Sequence, residues 1–335
     1  MRATFVAILL AGSAAPSPTS PRERATAEAV EVAGDLARLP SGQVVSLSRN
    51  ELLPEWSDLA RLRGDRERGC GVRADGGIRC WAPDPSGKIV IKAIDGIGTV
   101  KDAAGSLIEG CAARNDGAVV CWQRDDPAKE EAAVASDDPP RTPSFDAPAP
   151  DPLARPIQIV PLSGLSDAIA VVGGRQGCAL RRSGAVACWG RRWAHTGKRA
   201  PLVYDAGPRD VSGIRGATQI ADNGNTRCAI TGTGEIRCWG RKLAIPRATT
   251  AGILDSPFDE KPRTVPGIKN AVALSLHATG TGCAVTKSGR VTCWGMRSCP
   301  MDGAGDAVSV AVSSDGACAV RRGGGLACRP CTRAR

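Results

Sequence analysis

Three observations predict an all-β chain folded as a seven-bladed propeller of four-stranded blades. Cysteines recur in pairs ten residues apart, six times over: Cys70 with Cys80, Cys111 with Cys121, Cys178 with Cys188, Cys228 with Cys238, Cys283 with Cys293 and Cys318 with Cys328. A glycine stands six residues after each first cysteine (Gly76, Gly117, Gly184, Gly234, Gly289, Gly324), and in five of the six pairs a tryptophan follows the second (Trp81, Trp122, Trp189, Trp239, Trp294). A cysteine-free stretch, Leu36 to Leu47 with Gly42 at its turn, fits the same frame and brings the units to seven.

Each unit reads as a β-hairpin. Between Cys178 and Cys188, short apolar runs flank Arg182-Ser183-Gly184, a type I turn closed by a left-handed residue that only glycine adopts cheaply. Arg181 then lies opposite Ala185, and Cys178 faces Cys188 at a non-hydrogen-bonded position. The Cα atoms there are about 4.5 Å apart, a gap that a disulfide spans. Each such bridge contributes on the order of 2–3 kcal/mol, partly by restricting the unfolded chain.

Strand alternation places the cysteines and an aliphatic pair (Leu180 with Val186, Ile230 with Ile236, Val285 with Val291) on one face, and Ala179 with Trp189 on the other. Both faces are apolar, so each hairpin must be sandwiched between similar sheets, which radially packed blades provide. The units begin at residues 36, 70, 111, 178, 228, 283 and 318, and the uneven spacing puts the excess into connecting loops. Before several hairpins comes a second phrase: Pro161 to Gly173, Val211 to Ala221 and Val265 to Leu274. It reads as an outer strand, a turn at glycine and an inner strand, completing four strands per blade. Because the chain stops soon after the last hairpin, the segment around Ala25 to Val32 is expected to supply the seventh blade's outer strand.

These phrases, Gly-(Leu/Ile)-x-x-Ala followed by Cys-Ala-(Leu/Val/Ile)-x-x-x-Gly-x-(Val/Ile)-x-Cys-Trp-Gly, resemble the repeats of the regulator of chromosome condensation superfamily, in particular its alpha-tubulin-suppressor-like branch. The likeness runs from about residue 30 onward, and its cysteine-paired form is similar to that of exported bacterial members. The resemblance implies a seven-bladed propeller. Through the founding member it also implies guanine-nucleotide exchange on a small GTPase. After Trp-Gly, however, the family continues with asparagine and then Gly-Gln-Leu-Gly, where this chain has Arg191-Arg-Trp-Ala-His or Arg241-Lys-Leu-Ala-Ile.

Residues 1–15 read as a signal peptide: Arg2, an apolar run from Ala3 to Ala11, and small residues ending at Ala15. Residues 16–335 then form one propeller domain, and no stretch is long enough to span a membrane. Closely spaced, geometrically matched cysteines are the chemistry of an oxidising compartment, so a secreted or periplasmic location is expected. Zinc is the competing reading, but zinc sites want cysteines two to four residues apart with further partners, and the chain has only His195 and His277 to add. Cys299 and Cys331 remain, and a seventh bridge between them ties the C-terminus to the loop leaving the sixth blade. Cys328-Arg-Pro-Cys331 matches a redox motif in spacing but follows a strand at the chain end, and Cys328 already has a partner in Cys318.

The net charge is +10. Residues 124–156 interrupt the repeat with eight prolines, eight acidic and four basic residues, which reads as a disordered loop insertion carrying −4 and leaves +14 on the remainder. That surplus favours acidic partners, such as an acidic glycan or protein at the cell envelope. Nucleic acid is not expected, because no aromatic residues interleave with the basic clusters Arg191-Arg192 and Arg321-Arg322 to stack bases.

No catalytic, cofactor-binding or metal-binding residue is assigned. G-x-S-x-G and P-loop motifs are absent, carboxylates do not recur at equivalent blade positions, and the doublets Asp125-Asp126 and Asp137-Asp138 fall in the disordered loop. The tryptophans recur with the blade and read as core. The leading expectation is a monomeric, exported, disulfide-stabilised binding or scaffold module. The alternatives are the GTPase regulator, if the chain is cytosolic, and an envelope polysaccharide hydrolase or lyase whose carboxylates gather at the propeller mouth.

Overall fold

The computed structural model describes residues 20–65, 67–124, 151–174, 176–193, 202–240 and 259–333. Seven antiparallel sheets follow one another along the chain. The fourth is representative: inner strand Ala168–Gly173, hairpin strands Gly177–Arg181 and Val186–Trp193, outer strand Leu202–Asp210. Blades one to five have four strands each, while blades six and seven show three among the described residues. The inner strands touch in sequence around the ring, Glu31–Ala33, Leu59–Gly64, Val100–Gly105, Ala168–Gly173, Gln219–Asp222, Ala271–His277 and Ala307–Val312, and the last meets the first. The ring is closed.

The hairpins form as their sequence requires. Cys178 lies directly opposite Cys188, the Arg181 N–H donates to the Ala185 carbonyl at 2.9 Å, and Gly184 takes φ +79°. All six ten-residue pairs are bridged: Cys70 to Cys80, Cys111 to Cys121, Cys178 to Cys188, Cys228 to Cys238, Cys283 to Cys293 and Cys318 to Cys328. Their Cα atoms stand 3.9–4.0 Å apart, closer than the gap between unbridged strands at such a position, because the bond draws the two strands together. The first blade keeps the frame with Leu36 opposite Ser46. The recurring glycine phrase takes the expected form: Gln158–Leu162 is the outer strand of the third blade, Gly164 turns with φ +87°, and the inner strand of the fourth blade follows.

The apolar core is split into seven clusters, one between each pair of neighbouring blades. Four of them pair the cysteine-bearing face of one blade with the alanine–tryptophan face of the next. Cys70, Cys80 and Ile78 pack on Ala112 and Trp122, and Cys111, with Cys121 at the margin, packs on Ala179 and Trp189. Cys178, Leu180 and Val186 pack on Ala229 and Trp239, and Cys228, Ile230 and Ile236 pack on Ala284 and Trp294. The glycine before the cysteine makes room for the indole: a Cβ at Gly177 would lie 2.6 Å from the Trp189 ring. Indole N–H groups of Trp81, Trp122 and Trp189 donate to the carbonyls of Asp65, Ser106 and Gly174 at 2.7, 2.8 and 3.1 Å.

Blades are also joined through their backbones. The carbonyl of the turn glycine accepts the N–H that opens the next inner strand: Gly76 from Val100, Gly117 from Ala168, Gly184 from Ala217, Gly234 from Ala271 and Gly289 from Ala307, at 2.8–3.0 Å. The chains approach so closely that a Cβ at Gly184 would stand 2.6 Å from the Gly216 Cα.

The closure differs from the expectation for residues 25–32. Helix α1 (Pro21–Glu28) occupies the first half of that segment, and Glu31–Ala33 is the inner strand of the first blade, so this segment donates no outer strand to the seventh. The physical reason is local. Ser20 and Glu23 form a capping box, Pro21 sits in the first turn, and the alanines that follow favour helix over strand. The helix packs against the last hairpin strand, Leu326–Pro330, and the Ala29 carbonyl accepts the Gly325 N–H at 2.9 Å. Ala25, Ala29, Leu39 and Leu47 meet Val320 and Leu326 in the closing cluster. Cys299 is bonded to Cys331, beside a two-residue ribbon pairing Arg297–Ser298 with Thr332–Arg333.

Residues 1–19, including the expected signal peptide, and residues 125–150 of the expected disordered loop lie outside the described residues. Both ends of that loop are ordered. The Arg124 guanidinium is buried, donating to the carbonyls of Leu107, Leu153 and Arg155 at 2.8, 3.1 and 2.6 Å.

Gly234→Ala combines a left-handed φ with a 2.6 Å approach to the Asn270 Cα, whereas Gly213→Ala at φ +85° meets nothing within 4 Å. Denaturant unfolding is expected to show a loss of about 1–2 kcal/mol for Gly213→Ala and about 2–4 kcal/mol for Gly234→Ala. Equal losses would mean that the close approach between blades carries no stability.

Candidate functional site

The inner strands are sheet edges, so their unpaired N–H and C=O groups face the axis and need partners. Side chains from the preceding blade supply some of them. Asp102 Oδ2 accepts the Val171 N–H at 3.0 Å, Ser275 Oγ accepts the Val312 N–H at 3.1 Å, and Gln219 Nε2 donates to the Leu274 carbonyl at 3.1 Å.

Asp102 is the centre of an axial ion cluster. It is fully buried, with Arg63 Nε 3.5 Å and Arg61 Nη1 3.9 Å from Oδ1. Its carboxylate therefore joins the inner strands of blades two, three and four. The Arg63 guanidinium is held above its ordinary range by the charge of Asp102, against burial, with Glu31 adding to the effect. Glu31 is engaged by Arg38 at 2.7 Å. The two axial carboxylates are thus both ion-paired, and Asp102 presents no surface to a substrate.

On the face carrying the hairpin turns, the same pairing recurs between an aspartate before the inner strand and an arginine ending the second strand. Asp58–Arg73 and Asp167–Arg181 lie at 2.9 Å and Asp306–Arg321 at 3.9 Å. Around blades four to seven this face also carries Arg182, Arg215, Lys269, Lys287, Arg290 and Arg322, all exposed and none ion-paired among the described residues. The acids Asp167, Asp210, Glu235 and Asp306 of the same arc are taken up by Arg181, Arg237 and Arg321, and Asp302 stands exposed. Blades one to three carry Glu55, Asp58, Asp75, Asp95 and Asp116 on this rim beside Arg73, Arg79 and Arg114. The rim is therefore basic on one side and mixed on the other.

At the far ends of the inner strands from the hairpin turns lie Asp222 and His277, with Arg227 beside Asp222. Arg227 takes the place that glycine holds before Cys70, Cys111, Cys178 and Cys283, and its Nη2 reaches the Gln176 carbonyl of the fourth blade at 2.9 Å. Beside it, burial pushes the Asp222 carboxyl up while Arg227, 3.9 Å away, pulls it down. The pair cross-links two blades. His277 ends the sixth inner strand, where Nδ1 lies 3.3 Å from the Thr279 N–H and 3.0 Å from its hydroxyl. His195 lies outside the described residues, as do the acidic doublets of the long loop.

The sequence-assigned cysteines all lie in bridges and are structural; none belongs to the axial cluster or the basic rim. Cys80 is fully buried with Cys70 between the second and third blades, and Cys121, half-buried, is bonded to Cys111 between the third and fourth. Cys188 and Cys238 likewise pair with Cys178 and Cys228 inside the next two seams, and Cys328 with Cys318 at the closing one. The sulfurs of Cys283, Cys293 and Cys299 come within 4.8 Å of one another, but each belongs to a disulfide and none is the thiolate that a metal requires. The five repeat tryptophans are buried, as core residues. Sequence reasoning missed Arg61, Arg63 and Asp102. Their signal was charge within inner strands that elsewhere read as alanine and valine.

No family model and no curated protein sequence matches the chain. Solved structures do. Yeast RCC1 (Prp20), determined with Kap60 bound to it, is similar with 15% identity and a TM-score of 0.56, covering 96% of this chain and 84% of that one. Human WBSCR16 gives 14% identity and a TM-score of 0.56 over 87% of this chain and 86% of its own. Prp20p from Saccharomyces cerevisiae, whose structure was described with its binding to Gsp1p and histones, gives 14% and 0.52 over 79% and 70%. The fold is the seven-bladed propeller of the regulator of chromosome condensation type.

Burial pushes the His277 pKa down, with Arg297 acting in the same direction and Asp65 and Asp315 opposing. A base whose folded pKa lies below its unfolded value of about 6.5 adds stability above that value and loses it as pH falls. The melting temperature is expected to drop from pH 7.5 to pH 5, and His277→Gln is expected to flatten part of that drop. An unchanged slope in the variant would remove His277 from the pH response.

Proposed function

We propose that the protein is an exported, disulfide-stapled propeller that works as a binding module for an acidic glycan at the cell envelope. The observation carrying this reading is the arc of exposed cations on the turns and links of blades four to seven that have no ion-pair partner among the described residues. A rigid ring holds these charges at fixed spacing, so a flexible polyanion meets several at once and releases its counterions as it binds. The disulfides support the compartment, because bridges of this kind persist where thiols are oxidised. No helix among the described residues is long and apolar enough to cross a membrane.

Binding to a carboxylated polysaccharide such as polygalacturonate is expected to weaken as salt rises, since screening shortens to about 8 Å at 0.15 M ionic strength. Replacing Arg182, Lys269, Lys287 and Arg322 together by glutamine should weaken it about tenfold, the sum of four surface contributions of roughly 0.3–0.5 kcal/mol. Unchanged affinity in that variant, with the fold intact by circular dichroism, overturns the reading.

Guanine-nucleotide exchange on a small GTPase, the alternative that the family resemblance implies, would require the chain in a reducing cytosol. The intact mass of protein from its native host, with and without alkylation of free thiols under denaturing conditions, separates the two. The exported form is expected to begin near Pro16 and to take up no alkylating reagent. A retained Met1 with many alkylated thiols would return the chain to the cytosol.

A further inference from the structure

Six large apolar side chains are exposed among the described residues, and four of them share one structural position. Ile169, Val272 and Val308 each sit where the inner strand slips register against its neighbour, between Ala168 and Ala170, Ala271 and Ala273, and Ala307 and Ser309. Val30 does the same in the first blade: its N–H bonds the carbonyl of Arg38, the residue that also pairs with Glu31. Their exposures are 41% for Val30, 38% for Ile169, 45% for Val272 and 42% for Val308. Ala60, Lys101 and Thr218 hold the same place in blades two, three and five. The inner strands border the axis of the closed ring, so an exposed residue extruded from one of them stands at the rim of the axial opening. Singly exposed aliphatics are ordinary, but a set repeated around one axis forms a patch. The four large ones make an apolar collar at one mouth of the channel, interrupted by Lys101 and Thr218.

One residue farther along each inner strand the character changes. Blades one to three place Glu31, Arg61 and Asp102 there, and blades four, six and seven place Ala170, Ala273 and Ser309. The Arg61 side chain is 52% exposed and Arg63 38% exposed. Three guanidinium groups, Arg38, Arg61 and Arg63, meet two carboxylates, and both carboxylates are already engaged. One positive charge is left over. Arg61 holds Asp102 only at 3.9 Å and keeps donors free for another acceptor.

We propose that the axial channel binds an aliphatic carboxylate, with its charged head on Arg61 and Arg63 and its hydrocarbon against Val30, Ile169, Val272 and Val308. The depth fits such a ligand. A strand advances about 3.3 Å per residue, so the head lies one to three residues below the collar and a short alkyl segment spans the difference. Guanidinium groups match the planar fork of a carboxylate, and buried Asp102 holds them in place from behind. The site is distinct from the basic rim and does not depend on it.

Isothermal titration of the full-length protein with sodium decanoate, kept below its micelle concentration, tests the assignment. One-to-one binding is expected, at least tenfold weaker for decanol and for decyltrimethylammonium. Arg61→Gln is expected to cost about tenfold or more in affinity, and Val272→Ser with Val308→Ser a similar factor by a separate route that leaves the ion cluster intact. The rim variant described above should bind decanoate as the parent does. Absence of binding, equal binding of decanol, or unchanged affinity in both channel variants overturns the proposal.

Discussion

Everything in this propeller depends on how closely one blade can approach the next. The limit is set at the hairpin turns, where the carbonyl of a left-handed glycine accepts the first N–H of the neighbouring inner strand. Only a residue without Cβ fits there, because the same atom that would violate the backbone conformation would also press on the adjacent chain. The recurring glycine therefore does two things at once: it shapes a three-residue turn and it fixes blade spacing. Given that spacing, a cysteine–aliphatic face and an alanine–tryptophan face meet at packing distance. The disulfide widens neither, since it lies within the first face, buried against the next blade.

Repetition sets the ring but does not make it symmetric. At the axis, charge collects on blades one to three, where Asp102 links three inner strands through two arginines and one backbone N–H. Blades four, six and seven bring small or aliphatic side chains to the same levels. On the rim the polarity is reversed, with exposed cations that have no ion-pair partner among the described residues on blades four to seven and mixed charges on blades one to three. A buried carboxylate facing two guanidiniums is costly to desolvate unless its acceptors are filled, and Asp102 has both oxygens occupied. Its position is one that folding must specify tightly.

Closure is handled by different means from those that join the other blades. The seventh and first blades meet through an apolar seam and through helix α1, whose end supplies the carbonyl for Gly325. The last strand is secured by the bond between Cys331 and Cys299, which fastens the chain end to the link entering its own blade. The first blade has no disulfide of its own. The face on which it would lie meets the second blade, and that seam is filled instead by Leu36, Val44, Trp56 and Trp81.

The periodic features were legible in the residues because each follows from local geometry. Cysteine spacing and the turn glycine define the hairpin register, alternation defines the two faces, and their apolar character requires neighbours on both sides. The helix at residues 21–28 is also written locally, in Ser20, Pro21 and Glu23, although the need for a seventh outer strand points to a strand around Ala25 to Val32. The axial site is different in kind. Arg61, Asp102 and Val171 come from three repeats, and Val30, Ile169, Val272 and Val308 from four, so no window of sequence contains either set. The contacts of Asp102 depend on ring closure, and the exposure of the four aliphatics on a register slip that moves one residue per inner strand out of its pair; only the folded ring decides both.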